Sequence, residues 1–164
     1  MLARSVLLGA ALVLAPVAAN AQDATQISKV ASGASACVGC NLFQADFAYQ
    51  ELSGRNLSGA RLRQADLTVA TLDRANLTNT NLSVANAFGA RLQSANLKGA
   101  NLDDAVFVGA WLGGADMSGV SMRGANFSGA YLATTKNLKQ SQLSTACGDA
   151  TTELPAGLSI PNCD

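Results

Sequence analysis

Large apolar residues return at every fifth position along the middle of this chain. The series starts Leu42, Phe47, Leu52, Leu57 and runs on to Phe127 and Leu132; eighteen of its nineteen members are large and apolar, Ala87 being the exception. Two residues before each stands a second column, mostly Ala, as at Ala45, Ala60, Ala65, Ala95 and Ala125, and the residue between is usually Asn or Asp. A period of five matches neither the roughly 3.6 residues of a helical turn nor the simple alternation of an uninterrupted strand. It predicts a short extended side followed by a corner, over and over. On each side the Ala and the Leu point one way and the Asn or Asp the other. Gly recurs two residues after the central apolar position, at Gly54, Gly59, Gly89, Gly99 and Gly109 among others, where a turn with positive φ is least costly. Sides stacked on the sides of the next coil pair their backbones, and small Ala beside bulky Leu fills a narrow interior.

Units such as Ala65-Asp66-Leu67, Ala75-Asn76-Leu77, Ala95-Asn96-Leu97 and Ala125-Asn126-Phe127 resemble the A(D/N)LXX pattern of the pentapeptide-repeat family, and the run covers 19 consecutive units, 95 of 164 residues. The resemblance implies an all-β fold, a right-handed quadrilateral β-helix with four pentads per coil. The chain then forms nearly five coils, a column roughly 23 Å tall at about 4.8 Å per layer. Departures are local: Ala87 replaces the central Leu, Gln50 and Arg55 replace the small inward residue, and Val106, Trp111 and Tyr131 replace the outward Asn or Asp. If residues 20 apart stack, Asn56, Asn76, Asn96 and Asp116 form one outward column able to link side-chain amides. Phe88 is predicted to point outward, because Ala85, Ala90 and Leu92 keep the register on both sides of it, and Val108 then lies directly on it.

The flanks have a different character. Residues 1–21 read as a secretory signal peptide: Arg4, an apolar stretch from Val6 to Ala19 too short to span a bilayer, and an Ala19-Asn20-Ala21 cleavage site. Residues 22–36 read as a polar linker that need not be ordered, 37–135 as the β-helix, and 136–164 as a C-terminal cap for an otherwise open end. Within the cap, Leu143, Ala146 and Cys147 at helical spacing predict a short helix stopped at Gly148. The alternative is one or two further pentads centred on Leu138 and Leu143. Pro155 and Pro161 favour an extended edge segment beyond it.

All four cysteines lie outside the middle of the repeat. The pairs Cys37 with Cys40 and Cys147 with Cys163 sit at opposite ends of the column, too far apart to cross-link, which favours bridging within each pair in an oxidising compartment. Cys40 also occupies an inward small-residue position where it can simply pack, so its bridge to Cys37 stays open. A redox or zinc role for CVGC lacks a helix N-terminus and further ligands.

Charge and chemistry narrow the function. With 11 basic and 11 acidic residues there is no net field to draw nucleic acid, and no His to serve as general base or zinc ligand. Asp66, Asp73, Asp103, Asp104 and Asp116 fall on a convex surface and are expected to be solvated, with no cleft between them. The expectation is therefore a non-catalytic, cofactor-free structural or protein-interaction scaffold, exported to a bacterial periplasm or the exterior, without a membrane anchor after cleavage, its partner unnamed. The resemblance supplies a rival, since some cytosolic family members mimic DNA and bind type II topoisomerases; even charge and a signal peptide speak against it. An enzyme, the third class, lacks an assembled site. The candidate interaction patch is Phe88, Arg91, Val106, Val108, Trp111 and Tyr131, with Arg91 laid on the Trp111 ring as a cation–π contact. Whether the tail from Lys136 folds down over this patch or leaves it to a partner stays open.

Overall fold

The structure is a computed structural model that describes residues 21–163. The predicted signal peptide, apart from Ala21, lies outside the described residues. Parallel bridges join each outward residue to the one 20 positions later, without interruption from Ala36 and Asn56 to Asp116 and Lys136. Four such positions close each coil. Within a side, the central residue donates to the coil above, as Leu42 N to Arg61 O at 2.9 Å, while the outward residue donates to the coil below, as Arg61 N to Cys40 O at 2.8 Å. The corner is closed locally, as by Ala45 N to Leu42 O at 3.1 Å. The backbone is thus paired up and down the column, which lets so short a side exist.

Every corner from position 39 to position 129 has positive φ two residues after the central one. Where that residue is Gly the conformation is unstrained. Elsewhere the stack imposes it on Gln44, Tyr49, Ser94 and even β-branched Val69 and Val84, at φ 55° and 59°. A left-handed conformation costs such residues about 1–2 kcal/mol, so the pairing of neighbouring coils overrides local preference.

Inside, the central column is buried throughout, as are the alanines of the second column. Ala87 is closed over at 1% exposure, in a column that reads Phe47, Leu67, Ala87, Phe107, Phe127; the last two rings stack at 5.3 Å. Thr80 takes an inward place by donating its hydroxyl to Leu77 O at 2.7 Å.

Both ends differ in detail from the sequence reading. The ladder begins one unit early: Cys37 occupies a central core position at 3% exposure, so twenty units from Cys37 to Leu132 make five coils rather than nearly five. Residues 22–36 are not a linker. They carry helix α1, Ala24–Ala31, whose N-terminus is capped by the Asp23 carboxylate accepting from Gln26 N, and whose Val30 is fully buried against the column. The first coil has no coil beneath it, and α1 supplies the missing partners. The Asn41 N–H donates to the Gln26 side chain at 2.6 Å, and the Arg55 guanidinium donates to the Val30 carbonyl. That contact explains Arg55 at a small-residue position: on the bottom coil the inward site opens toward a cap.

At the top the short helix occurs and the ladder also continues, but not as pentads centred on Leu138 and Leu143: Leu143 lies in the helix, and the further sides start at other positions. Lys136 pairs with Asp116, Cys147 with Asn126 and Glu153 with Tyr131, forming three sides of a sixth coil. Helix α2, Gln140–Leu143, replaces the fourth. Its Leu143 is fully buried as a plug, and the Gln142 amide donates to the carbonyls of Met117 and Val120 at 2.9 and 3.0 Å. Gly148 is not the helix stop. It pairs with Asn162 of the final extended segment, and a Cβ there would lie 2.7–2.9 Å from Thr152 and Ile160. Disulfides close both ends, Cys37–Cys40 with Cα atoms 5.4 Å apart and Cys147–Cys163 at 4.9 Å.

Candidate interaction surface

The outward Asn and Asp residues have a structural task that the alternation pattern does not reveal. Each turns its Oδ1 onto the backbone of its own corner. Ser58 N donates to Asn56, Thr78 N to Asn76, Lys98 N to Asn96 and Ser118 N to Asp116, at 2.9–3.2 Å. The turn N–H needs an acceptor, and a short polar side chain two residues back supplies one. The column Asn56, Asn76, Asn96, Asp116 is in register, and its amides meet once, Asn76 Nδ2 donating to Asn56 Oδ1 at 3.1 Å.

Asp103 is not a solvated surface acid. It is 8% exposed and accepts from Ser121 Oγ at 2.5 Å, Arg123 N at 3.0 Å, and the Arg123 guanidinium at 2.6 and 3.1 Å. Burial alone raises its pKa; the hydrogen bonds from Arg123 and Ser121 outweigh it and hold the carboxyl below its ordinary value. The unfolded chain therefore binds this proton more readily, so the stabilisation is complete at neutral pH and is lost as pH falls below about 4. Asp103→Asn is expected to lower stability at pH 7 by about 1–2 kcal/mol and to flatten the acid limb of the melting temperature against pH. An unchanged acid limb contradicts this role.

The predicted patch assembles with one exception. Phe88 points outward and is 50% exposed, with half-buried Val108 one coil above it, and Val106 is 37% exposed on the adjoining side. Trp111 and Tyr131 stack at 4.1 Å between centroids and 7° between planes. Gly113 makes this possible: a Cβ there would lie 3.0–3.3 Å from Trp111, Tyr131 and Thr134. Arg91 is the exception. Its guanidinium turns down to Asp73 at 2.8 Å instead of lying on the indole; an arginine over an aromatic ring occurs elsewhere, Arg63 over Phe43 at 6.0 Å. A carboxylate in reach offers a charged hydrogen bond that outcompetes the ring face. The tail stacks on top of the column through Glu153 and leaves Trp111 45% exposed.

Two neighbours were missed in sequence. Exposed Val69 abuts Gly89 and extends the apolar strip downward toward Tyr49, and Gln93 joins Gly89, Arg91, Gly109 and Trp111 around a groove of about 400 Å³. The 20-residue register already aligns Tyr49, Val69, Gly89 and Gly109, and was signal enough for Val69.

The family profile described as pentapeptide repeats matches in 8 copies over residues 40–83, 70–104 and 100–136. Among solved structures, the chain is similar to a pentapeptide repeat protein from the thylakoid lumen of Arabidopsis thaliana, at 27% identity and TM-score 0.61, covering 69% of this chain and 85% of that one. It is also similar to the pentapeptide repeat protein Rfr23 of the cyanobacterium Cyanothece 51142, at 28% identity and TM-score 0.37, covering 79% and 97%. A third likeness is to QnrB1, a plasmid-mediated fluoroquinolone resistance protein, at 17% identity and TM-score 0.32, covering 74% and 83%. No curated protein matches the chain in sequence.

Proposed function

The chain belongs to the pentapeptide-repeat family of right-handed β-helices, and from that premise we propose that it is an exported, non-catalytic scaffold that engages a protein partner through its convex surface. The observation that carries this reading is the contrast between inside and outside. The interior of the column is filled by buried Leu, Phe, Met and Ala side chains, while one edge exposes Val69, Phe88, Val106 and Trp111 among polar neighbours. Exposed apolar strips with a polar rim are what protein partners bury. Export is supported by the two disulfides, which persist in oxidising compartments, and by the lumenal location of the Arabidopsis relative. Topoisomerase mimicry requires an acidic rod, and here acids and bases balance.

The test has two stages. Residues 1–36 fused to a reporter active only outside the cytosol are expected to yield activity; cytosolic retention overturns export and revives the topoisomerase reading. A photoreactive residue at position 106 is then expected to capture one discrete protein that the same residue at position 83 does not. Equal or absent capture at both positions overturns the scaffold reading.

A further inference from the structure

The groove beside Trp111 has a composition that selects its ligand. Gly89, Arg91 and Gln93 line it from one coil, and Gly109 and Trp111 from the coil above. Tyr131 covers the upper face of the indole at 4.1 Å, so the ring is held flat and its other face looks onto the groove. No side chain fills that space. Arg91 has turned to Asp73, the glycines carry none, and nothing lies within 4 Å of where a Cβ would stand at Gly109. Asp73 organises the rim from beneath: one carboxylate oxygen accepts from the Arg91 guanidinium at 2.8 Å and the other from Gln93 N at 2.9 Å.

Charge and polarity separate the ligand classes. An anion meets an arginine already neutralised, one charge against one, by Asp73. A wholly apolar ligand strips water from the free N–H groups of Arg91 and from the Gln93 amide and returns no hydrogen bond. A neutral ring with an apolar face and a polar rim satisfies both parts. Its C–H face stacks on the indole, and its hydroxyls pair with a planar guanidinium and a planar amide, side chains suited to adjacent hydroxyl groups. The volume of about 400 Å³ suits a small ligand, and the groove lies open along the surface, so a longer chain can enter and leave it. We propose that this groove is a carbohydrate subsite that takes one neutral pyranose ring of a glycan, stacked on Trp111 and held through its hydroxyls by Arg91 and Gln93. The inference goes beyond the scaffold reading and depends on neither export nor a protein partner.

Trp111 is the only tryptophan in the chain, so intrinsic fluorescence reports on the groove directly. Titrating the purified protein with neutral hexasaccharides of β1,4-linked glucose and of β1,4-linked N-acetylglucosamine is expected to shift the emission saturably with at least one of them. The expected Kd is about 0.1–1 mM. Arg91→Ala and Gln93→Ala should each weaken binding about tenfold; Gln93→Ala, at an exposed position, should keep the wild-type melting temperature. Trp111→Ala, followed by calorimetry, should abolish binding. No saturable shift with either sugar up to about 10 mM overturns the proposal, as does an affinity unchanged in both rim variants. Saturation by N-acetyltyrosinamide where both sugars fail makes the groove a seat for an aromatic side chain of a protein, which also overturns it. Loss of the partner captured at position 106 leaves this titration unaffected, so the two readings fail separately.

Discussion

Phe107→Ala is expected to destabilise the protein by about 3–5 kcal/mol, at the high end for a buried aromatic. Phe107 stands one coil above Ala87, the one alanine in the central series, and one coil below Phe127, whose ring it stacks on at 5.3 Å. All three are at most 1% exposed, so the bulk that Ala87 lacks is supplied by the aromatic above it. Removing that ring places two alanines in consecutive layers of the same column. The backbone ladder holds the layers at fixed spacing and prevents collapse into the cavity. The same account makes Ala87→Leu destabilising by about 1–3 kcal/mol through overpacking. The double variant Ala87→Leu with Phe107→Leu, which moves bulk from one layer to the next, should cost less than the sum of Ala87→Leu and Phe107→Leu alone. Chemical denaturation measures all four. A stabilising Ala87→Leu would show that Ala87 borders a void, and the compensation would fail.

Cys163→Ser is expected to cost about 3 kcal/mol, and Cys40→Ser much less. The Cys147–Cys163 bridge spans 16 positions and fastens a tail whose Leu154, Leu158 and Ile160 are only partly buried against the core. Without it the final segment, held to Gly148 by Gly148 N to Pro161 O and Cys163 N to Gly148 O, is expected to fray and uncover the sixth coil. The Cys37–Cys40 bridge spans 3 positions inside one corner already fixed by the ladder, so breaking it frees little chain entropy. Melting with and without reductant separates the contributions: the reductant-dependent loss should vanish in Cys163→Ser and persist in Cys40→Ser. The reverse order would place the critical clamp at the bottom of the column.

Much of the surface was legible because the register is simple. Once residues 20 apart stack, the outward placement of Phe88, its pairing with Val108, and the Trp111–Tyr131 stack follow from counting. The direction of Arg91 did not follow. A long side chain chooses among partners in neighbouring coils, and Asp73, 18 positions earlier, competes with the ring 20 positions later. Asp103 was misread for the same reason, since its burial comes from Ser121 and Arg123 on the coil above. Helix α1 was hidden by its polar composition: eight residues with one fully buried position, Val30, look like a linker until the unpaired first coil stands beside them.

By itself the sequence determined the five-residue side, the inward columns and the 20-residue register, because each pentad repeats one local geometry and the apolar period records which way each residue faces. The tertiary structure alone decided how the two open ends are closed, which long polar side chains pair across coils, and where Trp111 keeps a bare face. Those outcomes depend on donors, acceptors and volumes brought together from different layers, and no period in the sequence encodes an edge that has no neighbour.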